Sequence, residues 1–110
     1  MDVDEREQYV EDVLSLVERI PTGRVMSYGA IADHLGRCGP RRVGHVLATD
    51  GAGVPWWRVV RTDGSLPRSH ERRALEHYRV EGTPLRGAAT GSAGATRVDI
   101  ARAAWSPGGV

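Results

Sequence analysis

Arginine is the residue type in this sequence whose number and position point most directly to chemistry. All fifteen basic residues are Arg and none is Lys. Twelve of these arginines lie between residues 19 and 86 with six acidic residues, whereas residues 1–18 carry seven acids and only one arginine. Because a guanidinium binds phosphate bidentately and stacks on bases, the basic middle of the chain predicts nucleic acid as the partner. A solvated charged surface is the alternative interpretation.

The thiol and imidazole side chains are too few and too scattered for a disulfide or a metal centre. Cys38 is the only cysteine, so an internal disulfide is excluded. The four histidines show none of the spacings, such as HExxH, that are typical of a metal site. We therefore expect no metal and no cofactor.

The length and composition are typical of one globular domain. The chain has 110 residues, of which 40% are hydrophobic and 26% charged, and domains commonly contain about 100–150 residues. No apolar run approaches the roughly 20 residues of a membrane span, and the acidic residues 2–7 are unlike a signal peptide. We expect a monomeric cytoplasmic protein that makes no membrane contact and is nucleoid-associated when bound to DNA.

Apolar residues at helical spacing predict four helices. The first contains Tyr9 and ends near Ile20 because Pro21 follows, with Asp4 and Glu7 as a candidate capping box. The other three each have a predicted start and a closing glycine. They run from Ser27 to Gly36, from Pro40 to Asp50-Gly51, and from Ser69 to Glu81 before Gly82.

A short glycine-containing turn, Gly36 to Gly39, joins the second and third predicted helices and indicates a helix-turn-helix unit. Short helical hairpins in non-binding bundles are the alternative.

The aromatic and β-branched residues of Trp57 to Arg61 are typical of a strand, and the turn of residues 62–65 after it predicts a small wing or hairpin. The predicted fold is therefore a single domain, mostly α with a small β element, of the winged-helix-like helix-turn-helix class.

The end of the chain differs in composition from the rest. Residues 1–86 are predicted to form the DNA-binding domain. The small residues of 87–96 are typical of a flexible linker. Residues 97–110 are predicted to be a C-terminal tail that docks back onto the domain through Trp105.

Three ordered blocks of the sequence resemble the DNA-binding domain of the O6-alkylguanine-DNA alkyltransferases. They are IPTGRVMSYGAIA at residues 20–32, RRVG at 41–44 and PWWRVV at 55–60. In that family the third block contains Pro-Cys-His-Arg-Val, whereas here Trp56 occupies the cysteine position and Trp57 the histidine position. This departure resembles the alkyltransferase-like proteins, which lack the nucleophile.

An indole at the cysteine position excludes alkyl transfer through that residue. The transfer requires an activated thiolate, which Trp56 does not have, so we expect no enzymatic activity. A flat indole can instead line a base-sized pocket and pack against an extruded alkylated purine. Each methylene buried there would contribute ~0.8 kcal/mol. The alternative is that Trp56 and Trp57 are both core aromatics beside a strand.

The resemblance also implies roles for other residues. Tyr28 falls on the tyrosine that helps to turn the target nucleotide out of the duplex, and Arg41 falls on the arginine that replaces it in the stack. Gly44 would allow close approach of the recognition helix, which in this family enters the minor groove. The lesion pocket is therefore expected to contain Tyr28, Trp56, Arg58, Val59 and Ser65. The expected DNA-binding residues are Tyr28, Gly29, Arg37, Arg41, Arg42, Gly44 and Thr62.

These features together predict a non-enzymatic sensor that binds O6-alkylguanine in double-stranded DNA by base flipping. The resemblance implies that it marks the lesion for nucleotide excision repair proteins. A small winged-helix, sequence-specific transcription regulator is the main alternative. A residual alkyltransferase that uses Cys38 is a second, and an adaptor without DNA affinity, which would leave the arginine excess unexplained, is a third.

Overall fold

The described part of the structure, a computed structural model, comprises residues 1–87 and 96–108. It confirms the predicted fold class, because helices dominate and the strands are short. Within these ranges no helix combines the length and the apolar character needed to cross a bilayer. The elements are α1 (Val3–Arg19), β1 (Met26–Ser27), α2 (Tyr28–Leu35), α3 (Pro40–Asp50), β2 (Val59–Val60), α4 (Glu71–Glu81), β3 (Leu85–Gly87), β4 (Thr96–Val98) and α5 (Ile100–Ala103).

Helix α1 begins earlier than the predicted capping box indicates. Its cap is Asp2, whose carboxylate accepts a hydrogen bond of 2.8 Å from the backbone N–H of Glu5. The prediction of Asp4 and Glu7 was wrong because several acids in this segment can cap a helix, and the sequence does not distinguish between them. The helix buries Tyr9 in the core and ends at Arg19, close to the end near Ile20 that Pro21 predicts.

The helix-turn-helix unit is formed by α2 and α3, as predicted. Ser27 caps α2 by accepting a hydrogen bond of 3.0 Å from the N–H of Ala30. Gly36 ends α2 with a φ of 71°, a left-handed conformation that glycine adopts without strain. Pro40 then begins α3 at the first helical position. Buried residues of α1, α2 and α3 form one apolar core.

The strand predicted at Trp57 to Arg61 is only partly present. Residues Trp56–Arg58 form a 3-10 turn, and the strand is reduced to β2, which pairs in parallel with β1 so that Met26 lies opposite Val59. The turn predicted at residues 62–65 is present, but the chain after it bridges to Arg97 through Ser65 and forms no hairpin with β2. The 3-10 turn brings the side chains of both Trp57 and Arg58 to Glu81, a contact that sequence periodicity cannot show.

Residues 96–108 pack against the helical domain. Strand β4 pairs with β3 in antiparallel orientation, and the N–H of Trp105 donates a hydrogen bond of 2.9 Å to the carbonyl oxygen of Val25. The half-buried indole of Trp105 contacts the core of α1–α3. The linker predicted at 87–96 falls mainly on residues 88–95, which lie outside the described residues.

Candidate nucleic-acid interface

A cavity of about 680 Å³ opens between the helix-turn-helix unit, the Trp56–Arg58 turn and the beginning of α4. Tyr28 and Gly44 line it from α2 and α3, and Trp56 lines it from the turn. His70 and Arg73 line it from the beginning of α4. Pockets for small ligands usually enclose roughly 300–1,000 Å³. The space is therefore suitable for a flat heterocycle with a substituent.

Trp56 is half-buried and surrounded by other rings. The Trp57 ring meets it edge-on at a centroid distance of 5.6 Å, and the His70 and His77 rings lie at 5.6 and 6.0 Å. The guanidinium carbon of Arg73 lies 5.5 Å from the centroid of the Trp56 ring. The indole thus forms an aromatic wall of the cavity that is supported on several sides.

A carboxylate outside the cavity anchors the turn that carries Trp56. Glu81 accepts hydrogen bonds of 2.7 Å from Trp57 Nε1, 2.7 Å from Arg58 Nη2 and 2.9 Å from the N–H of Gly23. Arg58 also donates to the carbonyl oxygen of Ile20 at 2.9 Å. Burial raises the pKa of Glu81, but the hydrogen bonds from Arg58, Gly23 and Trp57 outweigh it, so the pKa is lowered overall.

Tyr28 stands at the first position of α2 and faces α3. A Cβ atom at Gly44 would lie 3.9 Å from the Tyr28 ring, so the two residues are neighbours on the cavity wall. Burial raises the pKa of the Tyr28 phenol, and nearby Arg61 opposes this only in part. The hydroxyl is therefore protonated at neutral pH and can donate a hydrogen bond.

Four exposed arginines line the same cavity, namely Arg41, Arg61, Arg68 and Arg73. None of them forms an ion pair with a carboxylate in the described residues. Unpaired guanidinium groups around one opening favour an anionic ligand such as a phosphate backbone.

The structure brings several predicted site residues together. Tyr28, Trp56, Arg41 and Gly44 line the cavity. Gly29 and Thr62 line an adjoining groove of about 450 Å³, which shares Tyr28 and Arg61 with the cavity. The two openings therefore form one continuous surface, which we call the arginine face, defined by Tyr28, Gly29, Arg41, Gly44, Trp56, Arg61, Thr62, Arg68 and Arg73.

Three predicted pocket residues do not line the cavity. Arg58 is turned towards Glu81 in a largely buried ion pair, with 15% of its side chain exposed. Val59 is fully buried in the helical core. The Ser65 hydroxyl donates a hydrogen bond to the carboxylate of Asp63. Hydrogen bonds from Ser65 and Arg97 lower the pKa of Asp63 to about 2. These three assignments are corrected because Arg58 is bound to Glu81, Val59 lies in the core, and Ser65 is held by Asp63.

Two predicted DNA-binding arginines lie against α1. Arg37 forms an ion pair with Asp12 and places its guanidinium over the Tyr9 ring. Arg42 lines a small pocket between α1 and α3 that also contains Tyr9 and His45. Neither arginine lines the cavity or the adjoining groove.

Sequence reasoning missed the cavity positions of Arg61, Arg68, His70 and Arg73. The available signal was the density of arginines in the loop before α4 and in its first turn. That signal alone does not show which arginines point into the opening.

Cys38 is exposed in the turn between α2 and α3, with a φ of 58°, and does not line the cavity.

A helix-turn-helix unit with an aromatic cavity and unpaired arginines beside it defines a class of small nucleic-acid-binding domain. Residues 8–82 match the family described as 6-O-methylguanine DNA methyltransferase, DNA binding domain, and the chain belongs to that family. The resemblance to the alkyltransferase-like proteins is confirmed by this match together with the relatives described next.

One curated relative is a "DNA base-flipping protein" of Vibrio parahaemolyticus serotype O3:K6 (strain AQ3810). It is 33% identical over 63 residues, which cover 54% of this chain and 63% of that protein. The match therefore spans less than two thirds of the relative's length. Two crystal structures are also similar, S. pombe Atl1 with damaged DNA containing O6-carboxymethylguanine and S. pombe ATL with DNA. Each has a TM-score of 0.77 and 26% identity, and the match covers 97% of this chain and all of theirs.

Proposed function

We propose that this protein is a non-enzymatic sensor that binds O6-alkylguanine in duplex DNA by base flipping. The observation that carries the proposal is the indole of Trp56 on the wall of the cavity. It stands where the alkyltransferase pattern has a nucleophilic cysteine. An aromatic ring in that place can hold a base by stacking, whereas it has no thiolate to accept an alkyl group.

The position of the only thiol supports a non-enzymatic function. Cys38 is exposed in the turn of the helix-turn-helix unit and is not part of the cavity lining. A base held against Trp56 would therefore not meet Cys38. Binding would be reversible, and the lesion would remain on the DNA for another system to remove.

The arginine face supplies the groups that base flipping requires. Extruding a base costs a few kcal/mol, which contacts to phosphate and to the cavity must offset. In the proposed complex Arg41 fills the gap in the stack and Tyr28 turns the nucleotide towards the cavity. Gly29 and Thr62 border the groove next to Tyr28, where the backbone would pass. Gly44, on the cavity wall, leaves room for α3 to approach the duplex.

The relatives support the same function. One is described as a base-flipping protein, and another was crystallised with O6-carboxymethylguanine in DNA. We also propose that the protein acts as a monomer, in the cytoplasm and on the nucleoid. We further propose that it marks the lesion for nucleotide excision repair proteins.

Fluorescence anisotropy on two matched duplexes tests the proposal, one with a single O6-methylguanine and one with guanine at that position. We expect the lesion duplex to bind at least about tenfold more tightly, a difference of about 1.4 kcal/mol. Equal affinity for both would contradict the sensor function, and dependence on flanking sequence alone would favour a transcription regulator. A methyl increment that mass spectrometry locates on the peptide containing Cys38 would instead show alkyl transfer to that thiol.

A further inference from the structure

The ribbon formed by β3 and β4 carries two arginines at directly opposed positions. Arg86 of β3 lies across from Arg97 of β4 in the antiparallel register, and both residues are exposed. Side chains at directly opposed positions lie on the same face of the ribbon, and like charges there destabilise the strand pair. An anion bound to this face would offset that repulsion.

Arg97 also meets two arginines of the cavity. A small pocket of about 120 Å³ lies between β4 and the loop before α4, and Arg61, Arg68 and Arg97 all line it. Because Arg61 and Arg68 line the cavity as well, the ribbon continues the arginine face. Pockets for small organic ligands usually enclose roughly 300–1,000 Å³. This pocket is therefore too small for a base and suits a single phosphate group.

The guanidinium of Arg97 is oriented by its neighbours. Its Nη1 donates hydrogen bonds of 2.9 Å to the carboxylate of Asp63 and 2.8 Å to the hydroxyl of Ser65. Both bonds use Nη1, whereas a guanidinium has five N–H donors, so Nε and Nη2 can bind a ligand. The side chain is 46% exposed and can be reached from solvent. An arginine that is already oriented loses less side-chain freedom when it binds.

The acids near this pocket offset only part of its positive charge. Asp63 forms an ion pair with Arg97, and Glu71 lines the pocket. These two carboxylates stand against four arginines, which are Arg61, Arg68, Arg86 and Arg97. The surface therefore remains positive, and a guanidinium binds phosphate with favourable, often bidentate geometry.

We propose that the β3–β4 ribbon extends the arginine face and that Arg97, together with Arg61 and Arg68, binds a backbone phosphate of the DNA strand that carries the lesion. The strand is assigned because Arg61 and Arg68 also line the cavity. In this respect the proposal rests on the proposed function. The ribbon lies beyond residues 8–82, which match the family, so the C-terminal segment adds a DNA contact of its own.

The variant Arg97→Gln tests the contact through the salt dependence of binding. Fluorescence anisotropy gives Kd for the O6-methylguanine and guanine duplexes over a range of salt concentrations. Since both duplexes contain the phosphate, both Kd values should rise by about fivefold and their ratio should stay unchanged. The slope of log K against log salt should become smaller by about 0.9, the value for one phosphate contact. The ion pair with Asp63 is exposed, so the variant should fold.

Arg102→Gln is the matched control. Arg102 is an exposed arginine of α5 in the same C-terminal segment, and it lines neither this pocket nor the cavity. The substitution removes the same charge as Arg97→Gln. Neither the Kd values nor the salt slope should change.

Uncharged methylphosphonates locate the contact on the DNA. Each phosphate of the lesion strand is replaced in turn. At the contacted position the unmodified protein should lose about fivefold in affinity, and Arg97→Gln should lose nothing further, because the two changes remove the same interaction. Inorganic phosphate added to the DNA-free protein tests the free ion as the source of the phosphate, with the amide NMR signals of Ser65 and Arg97 as the readout.

The outcomes separate this proposal from the sensor function. An unchanged salt slope in Arg97→Gln would overturn the phosphate site, whereas a preference of that variant for the lesion duplex would still support the sensor. Equal affinity of the unmodified protein for the two duplexes would contradict the sensor instead. Methylphosphonates that weaken the variant and the unmodified protein alike at every position would show that Arg97 makes no phosphate contact. Amide shifts with inorganic phosphate and an unchanged salt slope would show a free-anion site and overturn the DNA contact.

Discussion

At the scale of single residues, Trp56 and Glu81 are connected by a short series of contacts. Glu81 accepts a hydrogen bond from Trp57 Nε1, and the Trp57 ring meets the Trp56 ring edge-on. The Trp57 ring also stacks on His77 at a centroid distance of 3.5 Å and an interplanar angle of 5°. The orientation of the cavity wall therefore depends on a carboxylate that does not itself line the cavity.

Glu81→Gln should reduce the free energy of unfolding at pH 7 by about 1–3 kcal/mol, the usual cost of leaving buried polar partners unsatisfied. The carboxylate of Glu81 serves Arg58, Trp57 and Gly23 together, and its side chain is 8% exposed. Urea unfolding measures the loss. Glu76→Gln, at an exposed position of the same helix, is the control and should change stability by less than about 0.5 kcal/mol.

The effect of Glu81→Gln should depend on pH. The pKa of Glu81 is lower in the folded protein than its ordinary value of 4.5. Its stabilising contribution is therefore complete above that ordinary value and is lost as the pH falls through the folded pKa. The stability difference between the unmodified protein and the variant should shrink on acidification below 4.5. A difference that stays constant down to pH values well below the folded pKa would contradict this assignment.

The sequence predicted the cavity residues that depend on local pattern. Trp56 and Tyr28, which were predicted for the pocket, line the cavity and lie inside recognisable blocks, as does Arg41, which was predicted to contact DNA. Arg58 lies in the same block and was misassigned, because its partner Glu81 is 23 residues further along the chain. Only the folded structure shows that the pair is buried together.

At the scale of elements, the turn before α4 holds the C-terminal strand. Gly64 has a φ of 83°, and its carbonyl oxygen accepts a hydrogen bond of 2.8 Å from the N–H of Val98 in β4. A Cβ atom at Gly64 would overlap the carbonyl oxygen of Val98. Both the backbone conformation and the close approach of β4 therefore require glycine.

Gly64→Ala should lower the free energy of unfolding by more than about 2 kcal/mol, since left-handed strain and the displacement of β4 add together. Gly82→Ala is the matched control. Gly82 has a φ of 74° but no atom within 4 Å of an added Cβ, so only the strain of about 1 kcal/mol applies. Thermal or urea unfolding of both variants gives the comparison. Equal losses of unfolding free energy in the two variants would show that displacing β4 does not reduce stability.

Helices were easier to predict than strands in this chain. The ends of α2 and α3 are marked by Ser27, Gly36 and Pro40, each of which acts within one turn of its own position. Strand β2 is two residues long and pairs with β1, which lies more than thirty residues earlier. The length of β2 is set by that pairing and by the preceding 3-10 turn. Neither feature produces a periodic pattern of residues in the sequence.

At the scale of the whole molecule, charge is separated along the chain and in space. The acids of residues 1–18 lie on α1 or at its cap, whereas the four arginines that form no ion pair within the described part of the chain line the cavity. Such a separation would orient the arginine face towards a phosphate backbone and keep α1 away from it. The sequence predicted the separation of charge. It did not predict that Arg37 is bound to Asp12 of α1, because that pair depends on how α1 packs.

The central claim is that the indole of Trp56 recognises the lesion. It is tested most directly by the Kd for the guanine duplex divided by the Kd for the O6-methylguanine duplex, measured in Trp56→Ala and Trp56→Phe. Stacking on an aromatic side chain contributes about 1–3 kcal/mol per base. Trp56→Ala should therefore lower affinity for the lesion duplex by roughly 10- to 100-fold and bring the ratio close to one, with affinity for the guanine duplex preserved. Trp56→Phe should keep a ratio clearly above one. A Trp56→Ala protein that still prefers the lesion as strongly as the unmodified protein would contradict recognition by the indole.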